Sequence, residues 1–152
     1  MKLRLESQEK RLDELFKTVE KVTDDELKSL LSKHLCVRTS GFIETALKSL
    51  ISDYMSGTSP QPIQQYVTLK LKNVTNLRFE KLSEFLSTFN ASWKQQFEIG
   101  MTDERRAALN SIINNRNNIA HGENDSISYL SMRDYYLHAK EVVMLLKLII
   151  KK

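Results

Sequence analysis

Apolar side chains recur along this chain at the spacing of helices rather than strands. Leu12, Leu15, Phe16, Val19 and Val22 follow one another at intervals of three and four, which predicts an amphipathic helix over about residues 3–22. Thr23-Asp24-Asp25-Glu26 reads as a capping box, with Thr23 as N-cap and Glu26 reaching back to it, so a second helix starts there. Its stripe (Leu27, Leu30, Leu31, Leu35, Phe42, Ile43, Ala46, Leu47, Leu50, Ile51, Tyr54) carries it to about Met55. Gly57-Thr58-Ser59-Pro60-Gln61-Pro62 then reads as a loop. In residues 63–74, Val67, Leu69 and Leu71 alternate like a strand, whereas Ile63, Val67, Leu71 and Val74 fit a helix opened by Pro62. Helix is the better reading, because a lone strand has no partner. Leu77, Leu82, Phe85, Leu86 and Phe89 predict another short helix. The stretch from Asn90 to Met101, with Trp93 and Phe97, reads as an irregular, partly buried connection. Thr102 caps a further helix running to about Ala120, with Gly122 placed to end it. Ser131-Met132-Arg133-Asp134 resembles a second capping box, and the last helix starts there or a little earlier, near Ser128. The expected fold is all-α: one domain over residues 1–152, a bundle of four main helices plus one or two short ones.

Composition narrows this further. The 152 residues include only 4 Gly and 2 Pro, too few turn residues for a sandwich or barrel. With 41% hydrophobic and 28% charged residues the chain has a globular composition. The longest apolar run, Val142 to Ile150, is broken by Lys147 and falls short of the roughly 20 residues of a membrane span. Met1 is followed by Lys2, Leu3, Arg4 and Leu5 with no apolar signal core, so a cytoplasmic location is expected. Cys36 is the single cysteine, which permits no internal disulfide and no multi-cysteine zinc site. No metal or cofactor is implied. The net charge of +4 admits an anionic partner without demanding one.

The chemistry concentrates near the end of the helix that Thr102 opens. Four Asn fall within positions 114 to 118. Asn is a poor helix former because its amide competes for backbone hydrogen bonds, so the cluster carries a stability cost that Glu or Lys would avoid. Asn114, Asn117, Asn118 and His121 stand at i, i+3, i+4 and i+7 and make one polar stripe. Arg116 lies seven residues after Leu109 and four after Ile112, on the apolar side or its edge, where an Arg needs a partner. Arg116 and His121 are about 140° apart around an ideal helix. They converge only if the Arg side chain bends around, if the helix end is distorted, or if a second subunit supplies the partner groups.

Arg116-Asn117-Asn118-Ile119-Ala120-His121 resembles the Arg-x4–6-His motif of HEPN domains, the higher eukaryotes and prokaryotes nucleotide-binding family, including the polar residue after the Arg. The motif stands at the end of a late helix and before the last one, as in that family. The stretch from His34 to Glu44, with Gly41-Phe42-Ile43-Glu44, also resembles the second helix of the RiboL-PSP-HEPN group. The resemblance implies a metal-independent endoribonuclease acting on RNA. It implies a homodimer with a composite active site, and a toxin or effector role in bacterial defence or toxin–antitoxin systems, with an antitoxin or other regulatory protein as partner. Arg116, His121 and Asn117 are the catalytic candidates; Glu44, Arg38, Asn114 and Asn118 are supporting ones. His121 suits a general base and Arg116 a phosphate clamp. Glu44, at the edge of the long helix's apolar stripe, is either a solvated charge or an ion-pair partner for Arg116. Arg38 is either a surface charge or an RNA contact. The rival readings are a catalytically idle HEPN module that binds nucleotide, RNA or a partner protein, and a plain helical interaction domain.

Overall fold

The computed structural model describes residues 2–123 and 127–151. Seven helices occupy them, with no strand among the described residues: α1 (Lys2–Glu20), α2 (Asp25–Thr58), α3 (Gln61–Leu71), α4 (Phe79–Phe89), α5 (Ala91–Gly100), α6 (Asp103–His121) and α7 (Tyr129–Ile149). The four long helices α1, α2, α6 and α7 form the bundle. α2 packs on all three of the others, and α7 lies between α1, α2 and α6. α1 and α7 are antiparallel: the Tyr129 hydroxyl donates to the Phe16 carbonyl, while Tyr136, about two turns further on, donates back to Asp13. Phe16 stacks on Tyr136 at 4.3 Å between ring centroids. Leu35, Ile43, Leu47 and Ile51 of α2 meet Leu109, Ile112 and Ile113 of α6 and Met132 and Val143 of α7 in one fully buried core.

Three features depart from the sequence pattern. Residues 91–100 form a regular helix rather than an irregular connection. Only Trp93 and Phe97 mark its buried face, too few apolar positions to show a period, but Asn90 caps it by accepting from Ser92 N–H. Trp93 packs edge-on against Tyr54 at 4.9 Å, and Phe97 stacks on Phe79 at 5.6 Å. There are therefore three short helices, α3, α4 and α5, beside the four long ones. The N-cap of α2 is Asp24 and not Thr23: its carboxylate accepts from Leu27 N–H at 2.7 Å. α2 also runs through Gly57 to Thr58, leaving only Ser59 and Pro60 between it and α3. Leu27 and Leu30, placed in the core stripe by spacing, are exposed instead. Leu30 precedes the buried Leu35 by five residues, about 140° around the helix, so it turns outward.

Candidate functional site

α6 starts with Thr102, whose hydroxyl accepts from Arg105 N–H, and Asp103 and Glu104 complement the positive end of its dipole. The helix continues unbroken to His121. It ends because Gly122 adopts a left-handed backbone, φ 67°, which costs a residue without Cβ nothing. Gly122 N–H bonds to the Ile119 carbonyl and Glu123 N–H to the Asn118 carbonyl, the paired bonds of a Schellman motif. His121 is thus the last helical residue, and its side chain is exposed. The helix end is not distorted, so Arg116 and His121 keep their separation around the axis.

Arg116 is half-buried. Its Nη1 donates to Asn76 Oδ1 at 3.2 Å and makes a long contact of 3.5 Å with Asn117 Oδ1. Both partners are neutral amides, and no carboxylate among the described residues forms an ion pair with it. The guanidinium also lies within electrostatic reach of Cys36 on α2. That thiol is buried and donates to the Ile112 carbonyl at 3.4 Å. Burial pushes its pKa up to about 12, against the lowering pull of Arg116.

Of the two readings of Glu44, the ion pair with Arg116 is not formed. Glu44 Oε1 accepts from the Thr75 hydroxyl at 3.0 Å. Arg116 takes the neighbouring Asn76. Both residues therefore grip the same two-residue segment between α3 and α4, one from α2 and the other from α6. Lys81 adds a third hold by donating to the Thr75 carbonyl. Asn76 itself has a left-handed backbone, φ 56°, the only such non-glycine among the described residues. Asn tolerates this region better than most side chains.

Of the other candidates, Asn117 reaches Arg116 as above. Asn114 is exposed, and Asn115 donates to the Ser111 carbonyl within its own helix. Asn118 is half-buried and contributes its carbonyl to the helix end. Arg38 is not brought to Arg116. It is exposed on another face of α2 and lines a cleft with Gln8 and Leu12 of α1. Sequence reasoning missed Asn76, Thr75 and Asn110. The Asn110 side chain accepts from Phe79 N–H at 3.0 Å and so caps α4 from α6, where Arg78 offers no side-chain cap. The one signal for Asn76 was the Asn-bounded break in the apolar pattern at residues 73–76. No group of three or more His, Cys, Asp or Glu among the described residues is placed to hold a metal ion. No described helix is long and apolar enough to cross a membrane.

Residues 3–152 match the family model described as RiboL-PSP-HEPN. Neither a curated protein nor a solved structure matches the chain.

Proposed function

The chain belongs to the RiboL-PSP-HEPN family, and on that premise we propose that it is a metal-independent endoribonuclease with Arg116 and His121 as its catalytic pair. One observation carries the reading: Arg116 is half-buried yet held by amide oxygens alone among the described residues. A structural Arg in such a place is expected to be neutralised by a carboxylate. Here the acidic candidate on α2, Glu44, is turned to Thr75. The positive charge is oriented and left available, which suits a dianionic phosphorane.

In the reaction, a His121 imidazole takes the proton from a ribose 2′-hydroxyl, and the 2′-oxygen attacks the adjacent phosphorus. The bond from phosphorus to the 5′-oxygen breaks, and that oxygen leaves with a proton returned by an imidazolium. The products are a 2′,3′-cyclic phosphate and a 5′-hydroxyl. Imidazole is suited to both roles because its ordinary pKa lies near neutrality. Arg116 presents its planar fork to the phosphate oxygens, and Asn117 steadies it.

The site is composite in this reading. With α6 regular to its end and the Arg116 guanidinium turned to Asn76, this reading brings the two groups to one phosphate through a second copy. Leu27, Leu30 and Val37 of α2 are exposed, and the first turns of α2 line a cleft with the start of α7. Exposed Leu27 and Leu30 in those first turns support a two-fold interface there. The family resemblance further supports a toxin or effector role held in check by an antitoxin.

The test is incubation of purified protein with labelled RNA in EDTA, beside His121→Ala. Cleavage by the wild type alone is expected, with cyclic or 3′-phosphate on the 5′ fragment. Strict dependence on magnesium or manganese removes the mechanism. RNA binding without cleavage by either protein favours the idle-module reading.

A further inference from the structure

We propose that the outer face of α3 and the connection from α3 to α4 form a docking track for single-stranded RNA that leads to Arg116. The track rests on the ribonuclease reading and says where the substrate lies beyond the scissile phosphate. Residues 54–79 contain no Asp or Glu, although the chain has 19, and they carry Lys70, Lys72 and Arg78. Lys81 brings a fourth cation by docking on the Thr75 carbonyl. The segment's own charges are all cationic, with Glu44 of α2 bonded to its Thr75, and a strip of cations complements a phosphate backbone.

α3 packs on α2 alone among the described helices, so its outer face is free. Tyr66 stands on that face, 60% exposed, with the Lys70 ammonium 5.4 Å from the ring centroid. An exposed ring beside a cation is the pairing that single-strand binders use: the ring stacks a base and the cation meets its phosphate. Ile63 and Leu69 are exposed beside it. These apolar residues do not make a seam for a partner helix. Ile63, Tyr66 and Leu69 advance by threes and spiral around the axis, and the position seven after Ile63 is Lys70.

The track is continuous with the site. Five helical residues and five connecting ones separate Tyr66 from Asn76, a span of at most about 25 Å. Asn76 holds Arg116. A strand with its scissile phosphate on Arg116 therefore reaches Tyr66 within a few nucleotides.

The experiment compares cleavage of a dinucleotide and of a 20-nucleotide single-stranded RNA, in EDTA, by wild type, Tyr66→Ala and Lys70→Ala/Lys72→Ala. All three positions are exposed, and thermal melts check folding. For the long RNA, Tyr66→Ala is expected to raise KM at least about fivefold. The double lysine variant is expected to flatten the salt dependence of log KM by about 0.7 per lost phosphate contact. Cleavage of the dinucleotide should be unchanged. An unchanged KM and salt slope on the long RNA overturn the track. So does a change in oligomeric mass with KM unaltered, which assigns this face to a protein contact. If the wild type cleaves neither substrate, the ribonuclease reading fails. Fluorescence anisotropy with the same 20-mer then still decides the track, and equal affinity of wild type and variants overturns it.

Discussion

Arg116 Nη1 donates to the side-chain oxygen of Asn76 at 3.2 Å, across forty positions of sequence. Asn76 pays for this with a left-handed backbone. A neutral acceptor orients the guanidinium while leaving its charge unspent, whereas an Asp in the same place would neutralise it. Asn76→Gly keeps the backbone conformation and deletes the acceptor. A hydrogen bond to a charged group contributes about 1.5–3 kcal/mol, so kcat/KM for RNA should fall about 10- to 100-fold. Asn76→Asp should raise KM further by competing with phosphate. Wild-type kinetics in both variants would remove Asn76 from the site.

Glu44 gives a contrasting expectation. It accepts a hydrogen bond from Thr75 and makes no ion pair with Arg116 among the described residues. A carboxamide oxygen accepts the same bond, so Glu44→Gln should retain activity to within a few-fold. Glu44→Ala removes the acceptor, frees the Thr75–Asn76 segment, and should lower cleavage about tenfold, the effect of one lost hydrogen bond. Equal loss in both variants would show that the negative charge itself matters.

Periodicity made α1, α2, α6 and α7 legible because each buries a long stripe. α5 was hidden because its buried face is two aromatic residues, Trp93 and Phe97. Within the proposed site, Arg116, Asn117 and His121 were legible as candidates because they are local in sequence and sit on one helix. Asn76 was not, since its value comes from a tertiary contact that no spacing records. An ion pair between Glu44 and Arg116 was suggested by spacing and is absent for the same reason. A carboxylate at the right edge of α2 has several polar neighbours within reach, and the fold gave it a hydroxyl rather than the cation.

Buried acids, Cys36 and Tyr136 among them, are expected to lower stability at alkaline pH. The Cys36 thiol is pushed from its ordinary 9.0 to about 12 by burial, Arg116 pulling the other way. The Tyr136 phenol is raised above its ordinary 10.0 by burial and by its hydrogen bond to Asp13. In both, the folded state holds its proton after the unfolded chain has released it. The stabilisation is complete below the unfolded pKa and is lost as pH climbs toward the folded one. Each group then contributes a slope of about 1.4 kcal/mol per pH unit. In urea titrations, Cys36→Ala should flatten the decline that begins near pH 9, and Tyr136→Phe the part that begins near pH 10. Alkaline limbs parallel to the wild type would show that neither group is responsible.

The sharpest test of a composite site is reassortment of two inactive variants. Arg116 and His121 stay about 140° apart on a helix that is regular to its last residue. In a homodimer that pools them, Arg116→Ala and His121→Ala are each inactive alone. Mixed and allowed to exchange subunits, half of the dimers are hybrids, and each hybrid has one site with an intact Arg and an intact His from opposite chains. About a quarter of the wild-type activity should return. A site built within one chain regains nothing, because every chain in the mixture lacks one of the two groups. Light scattering on the same samples fixes the interpretation: activity restored in a dimer supports pooling. A dimer that exchanges subunits without recovering activity would place both groups in one chain and require the Arg116 side chain or the end of α6 to bend.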